Sequence, residues 1–303
     1  MAYPTPQVTN TTAAVFIPEI WSDEVIAAYK SNLVAANVMK KMSFKGKKGD
    51  VIHIPKPTRG TPSAKVSEAA VTLISDTETE VLVNINKWYE YSRFIEDITE
   101  VQALSSMRRF YTEDAGYSLA KQVDTDLVQL GRVMNGGDGT NAYDAGYTGA
   151  DGTTLYDGTN AAALTDIAVR NVIQKLDDQD VPTTGRFFLV PPAARNTLLG
   201  LDRYTAMDSV GDAGSNNSIR NGHIGNLYGI PVYVTSNADT TNADGDRVCL
   251  MGQKDAAVLV EQLGIRSQTQ YKQDYLATLY TSDTIYGVQA LREDAAFAMV
   301  VPA

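Results

Sequence analysis

The 303-residue chain carries 26 Lys and Arg against 36 Asp and Glu, a net charge of −10, with a hydrophobic fraction of 44%. That length and apolar content support a packed core and two domains, and they exclude a disordered or fibrous chain. The acidic balance argues against avid nucleic-acid binding, and no apolar run approaches the roughly 20 residues of a membrane span.

The N-terminus, Met1-Ala2-Tyr3-Pro4-Thr5-Pro6, lacks a basic stretch followed by an apolar core. No secretory signal is expected from it. The one cysteine, Cys249, has no partner for an internal disulfide, as expected of a chain made in the cytoplasm. Charge is spread unevenly. Residues 1–60 hold eight Lys/Arg and four Asp/Glu, a net of +4, whereas residues 61–100 hold three and eight, a net of −5. A basic segment beside an acidic one fits charge pairing between subunits, and it equally fits an ordinary solvated surface.

Residues 1–18 are rich in Thr, Asn and Pro and read as an extended arm. Glu19–Met39 places Trp21, Val25, Ala28 and Tyr29 at helical spacing. Lys40 to Gly49 is a basic, turn-rich joint. Residues 50–96 read as β: Val51–Pro55 is a short strand, and Val81, Val83 and Ile85 alternate along a second one that runs on through Trp88 and Tyr91. Between them Thr58–Ser67 is polar, as a long exposed hairpin tip is. A lone two-stranded hairpin is marginal in water, so this one needs a partner surface.

Over residues 97–134, Val101, Leu104, Met107, Tyr111, Ala115, Leu119, Val123, Leu127, Leu130 and Met134 recur in steps of three and four, which predicts one continuous helix. Asp97 with Glu100 supplies a capping-box start and Gly136-Gly137 a stop. Its length would be roughly 55 Å. The Gly/Asp/Asn/Thr-rich stretch 135–160 reads as a loop, and residues 161–180 as a helix with Val169, Val172, Ile173 and Leu176 on one face. Phe187–Val190 is a short buried strand, Ala193–Gly200 a short helix, and 205–222 a second polar loop. Strands are then expected at Ile230–Thr235, Arg247–Met251, Ala256–Val260, Leu276–Tyr280, Ile285–Leu291 and Ala295–Val301.

Catalytic chemistry finds little support. His53 and His223 are the only histidines, and neither lies near a nucleophile and an orienting carboxylate. Cys249 sits between Val248 and Leu250, a setting for a buried inert thiol. No phosphate loop, nucleophile elbow or paired-cysteine metal pattern is present. Asp138, Asp144, Asp151 and Asp157 are hard oxygen donors, but the 12-residue calcium-loop spacing with a terminal glutamate is missing; a solvated turn-rich loop is the simpler reading. The five lysines from Lys40 to Lys48 fit either phosphate binding or pairing with carboxylates of a neighbouring subunit.

The order of parts carries a resemblance. Val133 to Thr140 (VMNGGDGT), Leu176 to Pro192 with Val181-Pro182 and Phe187-Phe188-Leu189-Val190, and Gly222-His223-Ile224-Gly225 followed by Gly229-Ile230-Pro231-Val232 resemble segments of the Hong Kong 97-type major capsid protein of tailed phages. The resemblance implies an α+β fold in five parts. These are an N-terminal arm, 1–48; an E-loop hairpin, 49–86; a P domain, 87–160, holding the spine helix 97–134 and the Gly-rich connection; an A domain, 161–284; and closing P-domain strands, 285–303. It implies a non-enzymatic subunit that assembles into hexamers and pentamers of an icosahedral head, made in the host cytoplasm and ending in the virion, enclosing double-stranded DNA without reading its sequence. No catalytic residue, cofactor, metal or membrane is implied.

The implied partners are further copies of the chain, a portal and possibly a decoration protein. A separate scaffolding protein is also expected, because no long helical scaffolding segment leads the sequence. Intersubunit contacts are expected at Lys40, Lys41, Lys45, Lys47, Lys48, Arg59 and Lys65. Some relatives crosslink a lysine to an asparagine; Lys56 or Lys65 lies near the hairpin tip, but nothing in the sequence marks such a bond. The alternative function is a secreted or surface β-rich calcium-binding or adhesion protein using the Asp/Gly loop.

Overall fold

The computed structural model describes residues 33–45, 48–56, 60–68, 70, 71, 73, 78–97, 106–137, 139, 146–201, 225–241 and 245–303. The expected arm and most of the helix expected over Glu19–Met39 lie outside them; the described end of that helix is α1, Ala35–Val38. Among the described residues, twelve strands form three sheets. The first has four strands in the order β1 (Lys40–Ser43), β10 (Ala257–Lys272), β11 (Ala277–Ala290) and β4 (Lys87–Glu96). The second has six, in the order β5 (Tyr147–Thr148), β12 (Ala296–Val301), β9 (Arg247–Gln253), β6 (Arg186–Val190), β8 (Ile230–Val234) and β7 (Asn226–Leu227). The third is the antiparallel pair β2 (Val51–Lys56) and β3 (Thr79–Asn84), with His53 opposite Leu82.

Three expectations change. The basic joint is not all turn: Lys40–Ser43 runs parallel to Val258–Glu261 as β1, on the edge of β10 that β11 leaves open. The separate strands expected at Leu276–Tyr280 and Ile285–Leu291 are one strand, β11. The intervening Thr281-Ser282-Asp283-Thr284 stays in the ladder with β10, and three of its side chains find partners. Arg266 forks onto Asp283 at 2.6 and 2.9 Å, Ser267 meets Ser282 at 2.8 Å, and Thr284 donates to the Leu263 carbonyl at 3.0 Å.

The third change concerns the long helix. It is described from Ser106 to Gln129 (α2), and residues 98–105 lie outside the described set. After Gln129 it does not continue to Met134 as an α-helix. It tightens into 3₁₀ turns at Leu130–Arg132 and Met134–Gly136, and Asn135 and Gly136 turn left-handed at φ 55° and 80°. The tightening lets Gly131 lie against Leu250 and Ala298. The helix body rests on β10 and β11, and the 3₁₀ turns meet the closing strand β12.

The six-stranded sheet centres the main core. Every residue of β6 and β12 is buried. Helix α3 (Asp166–Asp178) adds Ala168, Val169, Val172 and Leu176, all buried, and Thr165 caps it by accepting the Ala168 N–H at 3.2 Å. Helix α4 (Pro192–Leu199) starts with proline in the first turn, where a missing N–H costs nothing. A smaller cluster of Val83, Ile85, Val258 and Val260 roots the β2–β3 hairpin on the four-stranded sheet.

The root is tight. A Cβ on Gly287 would stand 2.4 Å from the Asn84 carbonyl oxygen. Gly287→Ala is therefore expected to push the hairpin off the sheet at a cost of about 1–3 kcal/mol, read as a lower denaturation midpoint together with faster amide exchange over residues 79–85.

Candidate assembly surface

The basic residues predicted to face a neighbour do not act as one patch. Lys40 points its Nζ at Asp255 Oδ1, 3.1 Å away in its own chain, and this contact, opposed by partial burial, holds the Asp255 carboxyl below the usual carboxylate range. Lys45 lies 4.0 Å from Glu261, again in its own chain. Lys41 and Lys48 are exposed and form no ion pair among the described residues. Lys65 is exposed in the hairpin extension and donates to the Val66 carbonyl at 2.7 Å. Lys47 and Arg59 lie outside the described residues.

Sequence periodicity missed the apolar groups left outside the core. Beyond the paired part of the hairpin, Val66, Val71 and Leu73 are 66%, 70% and 86% exposed. At the far end of the four-stranded sheet Phe94, Tyr275 and Leu276 are also exposed, and the Phe94 and Tyr275 rings sit 5.6 Å apart. Trp88 lies on the outer side of β4, mostly exposed, with its indole N–H on Asp283 at 3.2 Å. Among the described residues these groups lie outside both apolar cores and stay exposed.

The candidate chemical groups are placed as follows. His53 is exposed on the hairpin, its Nδ1 2.9 Å from Glu80 Oε2, and His223 lies outside the described residues. Cys249 is fully buried in β9, and burial pushes its thiol up, so it stays protonated and unreactive. In the Asp/Gly loop, Asp138 and Asp144 lie outside the described residues. Asp151 accepts the backbone and hydroxyl groups of Thr153 and Thr154 at 2.6–3.0 Å. Asp157 accepts the Thr159 and Asn160 N–H groups at 2.9 and 3.0 Å. Burial works against the Asp151 anion, yet these hydrogen bonds prevail and hold its carboxyl well below the usual range. The loop is folded by its own carboxylates, and Tyr147 and Tyr156 within it are buried.

The polar groups that no motif marks lie under the helix. Asp126 is buried and accepts Tyr286 Oη at 2.6 Å, Gln122 Nε2 at 3.1 Å and Lys87 Nζ at 3.1 Å. Arg132 forks onto Asp239 with two contacts of 2.7 Å, and Tyr147 Oη donates to the same carboxylate at 2.5 Å. The Asp239 contact raises the Arg132 guanidinium above its ordinary range against the pull of burial. Burial, then Asp239, raises the Tyr147 phenol, so it remains a donor. The only sequence signal for these pairs is an acidic or basic residue falling beside an otherwise apolar helical stripe.

A family model for phage capsid proteins matches residues 80–300. Among solved structures, the chain is similar to one from Mycobacterium phage Che8, at 23% identity and TM-score 0.72 over 94% of this chain and 97% of that one. The capsid of cyanophage P-SCSP1u matches at 17% identity and TM-score 0.74, over 99% of both chains. The capsid of Ralstonia phage GP4 matches at 14% identity and TM-score 0.65, over 94% and 95%. No curated protein matches the sequence.

Because Asp151 and Asp157 already accept protein donors, neither calcium nor EDTA is expected to move the subunit's melting temperature. Scanning calorimetry with each addition checks this; a calcium-dependent rise would reopen the loop as a cation site.

Proposed function

The chain belongs to the phage capsid protein family, and we propose that it builds the head shell as hexamers and pentamers through contacts made by its extremities. It is a structural shell protein of the virion, and its work is geometric rather than chemical. The exposed Val66, Val71 and Leu73 of the hairpin extension carry the proposal. They have no core of their own, and a hairpin of two strands holds its shape in water only against another surface. The neighbouring subunit is the surface available many times over in a shell.

In this reading the basic residues divide by partner. Lys40 and Lys45 neutralise carboxylates of their own chain. Lys41 and Lys48 are exposed and remain for intersubunit contact; Lys47, Arg59 and Lys65 were assigned the same role by sequence. Each exposed pair is worth only ~0–1 kcal/mol, but a shell repeats it in every subunit. A scaffolding protein, a portal and possibly a decoration protein complete the expected partners, and DNA is enclosed without being read.

Two measurements follow. Purified subunit with its scaffolding partner is expected to give closed particles in negative-stain micrographs, and a concentration-independent monomer would overturn the reading. The double variant Lys41→Gln, Lys48→Gln is expected to melt as the parent does and to lose particle yield, more so at high salt where remaining pairs are screened. Full yield from that variant would make these lysines an ordinary solvated face.

A further inference from the structure

Resting on the shell reading above, we infer that the buried contact of Arg132 and Tyr147 with Asp239 fixes the angle at which the long helix leaves the six-stranded sheet, and thereby the diameter of the closed particle. Three chain segments converge there. Arg132 ends the first 3₁₀ turn after α2, Tyr147 lies in β5, and Asp239 stands in the turn ahead of β9, where its carbonyl accepts the Val248 N–H at 2.9 Å. Both carboxylate oxygens are in use. Oδ1 takes an Arg132 NH₂ group and the Thr240 N–H, and Oδ2 takes Arg132 Nε and the Tyr147 hydroxyl.

The geometry restricts direction as well as distance. A guanidinium forked onto a carboxylate must lie in its plane, so rotation of the helix end breaks a bond. The backbone around the contact leaves little slack. A Cβ on Gly137 would fall 2.0 Å from the Arg132 carbonyl oxygen, and one on Gly146 would fall 2.8 Å from the same atom. Six residues earlier, on α2, Asp126 grips Lys87 and Tyr286 of the four-stranded sheet. The two clamps lie on α2 and on the 3₁₀ turn that follows it, so together they set the tilt between the sheets.

That tilt matters more to a shell than to a monomer. In an assembly closed by repeated heterologous contacts, the rotation from one subunit to the next decides whether and at what size the surface closes. Buried ion pairs contribute little net stability compared with apolar packing, and a fixed geometry is what they supply best.

Tyr147→Phe removes one hydrogen bond and keeps the ring; Arg132→Lys keeps the charge and removes the fork. Val172→Ala, in the core of α3 away from the joint, serves as a stability control. Particles of each are made with the phage's assembly proteins present and sized by electron microscopy, with subunit melting measured alongside. The inference expects both joint variants to lose the single-diameter population, giving mixed sizes, open sheets or no closed particle. Val172→Ala, though less stable, is expected to retain it. Parental diameter and spread in both joint variants would overturn the inference, as would equal broadening by Val172→Ala. Failure of the parent chain itself to close particles would remove the shell reading and this inference with it, an outcome visible in the parent sample alone.

Discussion

The structure depends on a few polar side chains that one helix end carries into the interior. Between Asp124 and Arg132 the chain buries two carboxylates and much of a guanidinium, each bound to a different part of the molecule. Asp124 accepts the Ala36 N–H of α1 at 3.4 Å and the Asn237 amide at 3.1 Å. Asp126 takes the four-stranded sheet through Lys87 and Tyr286, and Arg132 takes the turn ahead of β9 through Asp239. Apolar packing by Leu127 and Val128 fills the gaps between these contacts. Losing one partner of such a pair strands a charge and costs about 3–5 kcal/mol, so the helix end tolerates little change. Apolar contacts are comparatively indifferent to rotation, whereas these are not.

That constraint also explains which parts of the fold were legible. Helix α3 declares itself because its burial follows a helical period, and strands β6, β9 and β12 because they are short continuous apolar runs buried on both faces. The order of arm, hairpin, long helix and α/β part carried the family resemblance. Where the sequence misled, the cause was a partner far away in the chain. The break expected between Tyr280 and Ile285 is bridged by Arg266, Ser267 and Trp88, which are invisible to a local window. The helix was drawn too long because Leu130 and Met134 keep the apolar step, while the change to 3₁₀ answers to Leu250, Ala298 and Asp239.

The distribution of exposed groups separates the duties of the chain. Its main core is packed: the six-stranded sheet, helices α3 and α4 and the 3₁₀ turns bury one another's apolar side chains within a single copy. Its ends are open, with Val66, Val71 and Leu73 on the hairpin extension and Phe94, Tyr275 and Leu276 at the far tip of the four-stranded sheet. Open apolar ends on a free subunit invite premature association. The net charge of −10 opposes it, since like-charged subunits repel over roughly a Debye length, ~10 Å at 0.1 M salt. Contacts at the extremities act at shorter range than this repulsion, so they count only once subunits are brought close together and oriented. An acidic subunit with exposed apolar tips is thereby slow to associate at random and cooperative once aligned. The rigid joint at Asp239 adds the remaining requirement, because weak contacts at the ends of a flexible subunit would close at many sizes.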